Sequence, residues 1–122
     1  MPTILIVDDS ASLRQVVTMA LKGSGYNTVE AKDGEDALSK LKMSSIDMIV
    51  CDVNMPVMNG LDFVRQVKSD AKYKFLPVLM LTTETTDEKK QVGKAAGASG
   101  WMVKPFAPTQ LVKAVVKFVG AA

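Results

Sequence analysis

Four short apolar runs in this chain each end on polar side chains of a particular kind. Ile4-Leu5-Ile6-Val7 runs into Asp8-Asp9, Met48-Ile49-Val50-Cys51 into Asp52, Val78-Leu79-Met80-Leu81 into Thr82-Thr83, and Trp101-Met102-Val103 into Lys104. If the runs are parallel strands, their carboxyl ends share one edge of the sheet, where open α/β sheets bind ligands. That edge then gathers three carboxylates, a hydroxyl and an amine. Carboxylates held this close raise one another's pKa unless a cation intervenes, and an all-oxygen donor set suits Mg²⁺. With the cation in place, one carboxylate can attack a phosphoryl group while the hydroxyl and the ammonium engage its equatorial oxygens. Singly, the pieces are ordinary: Asp8-Asp9 fits a helix cap, Asp52 a turn former, Thr82 a strand hydroxyl and Lys104 a solvated amine. Four such endings on four core strands outweigh those separate explanations.

The elements that would position these groups are legible from periodicity. Leu13, Val16, Val17, Ala20 and Leu21 recur at helical spacing, and Gly23-Ser24-Gly25 ends that helix. A weaker second strand is expected at about Tyr26 to Ala31, with the mixed polarity of a sheet edge. Asp33-Gly34 then turns into a helix carrying Ala37, Leu38 and Leu41. A loop from Asp52 to Gly60 leads to a helix with Leu61, Val64 and Val67 inward, and Pro77 introduces the fourth strand. A helix from about Asp87 to Ala96, a strand at Gly100 to Val103 and a helix from about Pro108 to Val119 complete the pattern. Five βα units with short connections require right-handed crossovers covering both faces, which gives an α/β doubly wound sandwich.

Composition narrows the function. The chain has 122 residues, enough for one core, and 15 basic against 13 acidic side chains give a net charge of +2. That is too small to suggest nucleic acid or an anionic membrane as partner. Histidine is absent, so imidazole bases, nucleophiles and metal ligands are excluded. The single Cys51 cannot form an internal disulfide, and the first apolar run is too short for an export signal or a span, so a cytoplasmic protein is expected. The eight methionines are expected to fill the core.

The sequence resembles the receiver domains of two-component response regulators, most closely the single-domain chemotaxis regulators of the CheY type. The resemblance spans essentially the whole chain, so that 1–122 is expected to be one receiver domain. It rests on Ile6-Val7-Asp8-Asp9-Ser10, Asp52-Val53-Asn54-Met55-Pro56, Asn59-Gly60, Leu81-Thr82, Gly97-Ala98-Ser99-Gly100 and Val103-Lys104-Pro105-Phe106. It implies a flavodoxin-like, five-stranded parallel sheet in the order 2-1-3-4-5, flanked by five helices. It further implies that Asp52 is the phosphoacceptor, that Asp9, Asp52 and the Asn54 backbone carbonyl bind Mg²⁺, and that Asp8 assists through bound water. Thr82 and Lys104 would contact the phosphoryl group, with a cis peptide before Pro105. Asn54 and Glu84 occupy positions that tune dephosphorylation, and Thr82 and Trp101 those of the switch pair.

Two positions depart from the chemotaxis pattern: Thr83 replaces a usual alanine, and Trp101 a usual tyrosine or phenylalanine. The implied partners are a histidine kinase as donor, a separate output protein such as a flagellar motor switch, and a phosphatase, acting on a monomer. Because the chain ends just past the last helix, no output domain of its own is expected. Lys89, Lys90, Lys94, Trp101, Lys113 and Lys117 are the candidate partner surface, with solvation of their elements as the alternative. A magnesium-dependent phosphohydrolase of the haloacid-dehalogenase kind shares the nucleophile, but carries a second aspartate where this chain has Asn54. A phosphorelay intermediate or phosphate sink would have the same site.

Overall fold

In a computed structural model, which describes residues 1–53, 55, 58–82, 91 and 94–121, five strands form a single sheet. They are β1 (Thr3–Val7), β2 (Asn27–Ala31), β3 (Met48–Asp52), β4 (Val78–Thr82) and β5 (Gly100–Val103), all parallel in the order β2-β1-β3-β4-β5. Order and strand positions agree with the expectation from sequence. The helices are α1 (Ala11–Gly23), α2 (Gly34–Met43), α3 (Gly60–Ser69) and α4 (Pro108–Val119), with a 3-10 turn at Ala71–Tyr73. Gln91 and residues 94–96 are also helical, within the helix expected at Asp87 to Ala96.

Each of the four helices α1 to α4 starts where a side chain satisfies an orphan backbone amide. Ser10 accepts from Leu13 N, Asp33 from Asp36 N, and Asn59 from Asp62 N. At α4 the order is reversed: Pro108 opens the helix and the Gln110 side chain accepts from Ala107 N at 3.0 Å.

Alternation along the strands produces two cores, one on each face. Leu5, Val7, Ile49, Cys51, Val78 and Met80 pack with Ala37 and Leu41 of α2 and Phe63, Val64 and Val67 of α3. Ile4, Ile6, Met48, Val50, Leu79 and Leu81 pack with Val17 and Leu21 of α1 and Leu111 and Val115 of α4. The central strands β3 and β4 are buried at every residue, as expected of strands covered by helices on both sides.

Two expectations need correction. The buried face of α1 is Val17, Thr18 and Leu21, whereas Val16 is 49% exposed. Arg14 and Leu13 are both partly covered, and Arg14 reaches across to the ends of β1 and β2. The methionines also divide: Met48, Met55 and Met80 are buried, but Met1, Met19 and Met43 are largely exposed.

Candidate functional site

Strand register brings the polar endings together. Val7 pairs with Cys51, so Asp8 lies level with Asp52, which pairs with Leu81. Thr82 pairs with Val103, so Lys104 follows one step beyond, and its backbone N donates to Thr82 O at 2.7 Å. A slip of one residue in any strand would turn its ending to the other face of the sheet.

Carboxylate oxygens of Asp8, Asp9 and Asp52 lie within 4.8 Å of one another. Asp8, Asp52 and Thr82 are buried, and Asp9 faces solvent. The Lys104 ammonium donates to Asp52 Oδ1 at 2.9 Å and lies 3.8 Å from Asp8 Oδ2. Asp8 Oδ1 accepts from Ser10 N at 2.9 Å, but Asp8 Oδ2 is buried without a hydrogen-bond partner. Burial raises the Asp8 carboxyl above the ordinary value; the Ser10 amide opposes this, the Asp52 charge adds to it, Lys104 opposes it and Asp9 adds to it. A buried oxygen without a hydrogen bond among three carboxylates fits a divalent cation with oxygen ligands, since the cation would satisfy that oxygen and relieve the repulsion.

Three further features build the site. The Lys104–Pro105 peptide is cis, as the resemblance implied. Gly60 N donates to Val53 O at 2.8 Å, and a Cβ on Gly60 would collide with the Asp52 carbonyl, so only glycine permits α3 to start this close to the reacting strand. Arg14, which sequence reasoning did not single out, donates from Nη1 to Asp8 O at 2.7 Å and from Nε to Glu30 Oε1 at 3.2 Å. It ties the Asp8 turn to α1 and β2. An arginine on a helix gives no local sign in the sequence of such a contact.

Beside the acidic cluster lies an apolar groove of about 310 Å³ lined by Leu13, Val16, Lys104, Pro105 and Phe106. Trp101 is partly buried against the α2 and α3 core, with its indole N–H buried and unpaired. Lys94, Lys113 and Lys117 are exposed, and Val116 beside the last two is 39% exposed. Asn54, Thr83, Glu84, Lys89 and Lys90 lie outside the described residues.

With this geometry in view, comparison with known proteins gives the family. Residues 4–116 match the response regulator receiver domain, and the chain belongs to that family. Among its relatives, the chemotaxis protein CheY-3 of Vibrio cholerae is 43% identical over 109 residues, covering 88% of this chain and 84% of that protein. The chemotaxis protein CheY of Pseudomonas aeruginosa is 41% identical over 115 residues, 93% of each chain. The structure of V. cholerae CheY4 superposes with a TM-score of 0.93 at 52% identity, covering 97% of this chain and 98% of that one. The fold and relatives are those of a CheY-type response regulator of two-component signalling in chemotaxis, a signalling switch and not a conventional enzyme. Regulators of this type take phosphate from a histidine kinase and act on a separate target, and their acidic pocket generally binds Mg²⁺. Among the described residues, no helix is long and apolar enough to cross a membrane.

Proposed function

We propose that residues 1–122 form one receiver domain, that Asp52 accepts a phosphoryl group from a histidine kinase, and that the modified surface is read by a separate chemotaxis output protein in the cytoplasm. The observation that carries this reading is the contact of the Lys104 ammonium with Asp52 Oδ1 at 2.9 Å, inside a cluster completed by Asp8 and Asp9. Asp9, Asp52 and the Asn54 carbonyl would hold Mg²⁺, with Asp8 assisting. The ion would supply positive charge against the phosphoryl oxygens.

The chain's own groups account for the rest of the reaction. An Asp52 carboxylate oxygen attacks phosphorus in line, the P–O bond forms as the bond to the donor nitrogen breaks, and the departing imidazole remains with the kinase. Lys104, held between Asp52 and Asp8, moves its ammonium from the carboxylate to the phosphoryl oxygens. Thr82, at the end of buried β4, offers its hydroxyl to the same group. Its shift toward Asp52 makes room for Trp101 to settle inward, which changes the face formed by β5 and α4. Lys94, Trp101, Lys113 and Lys117 belong to that partner surface, as do Lys89 and Lys90 by sequence. Asn54 and Glu84 set how fast the acyl phosphate hydrolyses. The apolar groove of Leu13, Val16, Pro105 and Phe106 gives the incoming donor a surface beside Asp52.

Acetyl phosphate with Mg²⁺ should label the protein once, at Asp52, as read by mass spectrometry of the intact chain and its peptides. Equal labelling of Asp52→Asn under the same conditions would disprove the assignment.

A further inference from the structure

At the amino-terminal ends of β3 and β4, the pole opposite the acidic cluster, lies a groove of about 480 Å³, within the range of ligand-binding clefts. One wall is the end of α2 and the turn after it, with Leu41, Met43 and Ile46; the other is the turn before β4, with Tyr73, Phe75 and Leu76. Met43 is 76% exposed and Phe75 is 88% exposed. Phe75 is the most exposed aromatic side chain among the described residues and packs in neither core cluster.

The turn that presents it is held at several points. Tyr73 Oη donates to Leu41 O at 3.2 Å, joining the two walls. The Lys68 ammonium donates to the carbonyls of Lys74 and Leu76, and Tyr73 N and Leu76 N donate within the turn to Asp70 O and Tyr73 O. An exposed aromatic on a fixed turn loses little freedom on binding. Lysines surround the apolar rim: Lys42 and Lys72 line the groove, and the Lys74 ammonium lies 5.7 Å from the centre of the Phe75 ring. The turn contributes one carboxylate, Asp70, which accepts from Lys72 N. On the other wall Asp47 follows Ile46 and accepts from Thr3 N at 2.8 Å, so three exposed ammonium groups against two carboxylates, each engaged by a backbone amide, leave the rim cationic.

We infer that the groove between the end of α2 and the turn before β4 is a docking site for an acidic, amphipathic segment of a partner protein. Apolar side chains of that segment would lie on Met43 and Phe75, and its carboxylates would meet Lys42, Lys72 and Lys74. The concave shape and small number of lysines favour a peptide over an anionic membrane, for which flatter and more heavily basic surfaces are typical. Groove and acidic cluster sit at opposite ends of the same strands, about 15 Å apart for five residues. Docking is therefore independent of the phosphoryl group: it holds the regulator near a partner in both states, separately from the switch face.

The test uses a fluorescent amphipathic peptide with glutamates on one face and leucines at i, i+3, i+4 and i+7 on the other. Binding is followed by anisotropy and mapped by backbone amide shifts. The expected result is saturable binding with shifts centred on the groove, unchanged on addition of beryllofluoride and Mg²⁺. Phe75→Ser should weaken it about tenfold, as should the Lys42→Glu, Lys72→Glu double variant. All these side chains are exposed, and thermal melts verify that the variants fold. The inference is overturned by absence of saturable binding, by shifts centred on Trp101, or by unchanged affinity in folded variants. It is equally overturned if phosphatidylglycerol vesicles bind at the groove and the peptide does not.

Discussion

The two ends of β3 and β4 place their charges by opposite rules. At the carboxyl end, Asp8 and Asp52 are buried, Lys104 is mostly covered, and their meeting is fixed by strand register. At the amino end, Lys42, Lys72 and Lys74 are exposed, and the end of α2 and the turn before β4 position them. Buried charge is strong and exacting because little water screens it, whereas exposed charge is weak, adjustable and salt-sensitive. One end is thus suited to chemistry and the other to contact. Substitutions at the first should act on reaction and stability together, and those at the second on neither.

The widest separation is expected between Asp52→Asn and Phe75→Ser. The first should abolish labelling by acetyl phosphate and the second should leave its rate unchanged; slowed labelling in Phe75→Ser would show that the two ends communicate. Next in size, Asp9→Ala should lose Mg²⁺ binding and phosphorylation together. Lys104→Arg should keep the metal affinity but impair activation, because a planar guanidinium cannot replace the compact ammonium. Calorimetric titration with Mg²⁺ and beryllofluoride occupancy measure the two steps, and equal loss of Mg²⁺ affinity in both variants would refute that division.

A smaller effect concerns stability. Asp8→Asn keeps an oxygen for the Ser10 amide and removes a buried like charge, so the metal-free protein should gain about 1–2 kcal/mol in urea denaturation near neutral pH. Since burial raises the Asp8 carboxyl in the folded chain, the folded state binds its proton more tightly than the unfolded state. The charged form is therefore destabilising above the folded value, and the penalty is relieved as pH falls through that value toward the usual 3.8. The gap between Asp8→Asn and the parent should narrow on acidification in the presence of chelator, and a gap that widens would mean another group dominates.

The least expected change is optical. Trp101 is already partly buried, so beryllofluoride with Mg²⁺ should shift its emission only modestly to the blue, and Thr82→Ala should suppress the shift. No shift in the occupied parent would remove Trp101 from the switch, and an equal shift in Thr82→Ala would uncouple it from Thr82.

Much of the carboxyl end was legible in the sequence because strand period and strand ending are local signals. Ile4 to Val7, Met48 to Cys51 and Val78 to Leu81 name their strands, and the next residue in each names the site. The α1 face was less legible: Thr18 is buried and Val16 is not, and Arg14 reaches Asp8 O and Glu30 through contacts made across other elements. The groove at the amino end left no trace, because Met43 ends α2 and Phe75 lies in the turn before β4, two segments linked by the bond from Tyr73 to Leu41. Methionine exposure was equally illegible, since Met suits either setting and only tertiary packing decides.

The close approach of Gly60 to the Asp52 carbonyl bears on how this protein could be inhibited. With no side chain between them and a hydrogen bond from Gly60 N to Val53 O, the start of α3 and the end of β3 have no compressible layer to absorb a displacement. The outer face of α3 presents Asp62, Arg65 and Gln66, polar and accessible, on a helix whose other side is locked into the core by Phe63, Val64 and Val67. An antibody fragment or macrocycle gripping that outer face would apply its load directly to the backbone carrying the reactive carboxylate. It would arrest the regulator without touching Asp8, Asp9 or Asp52.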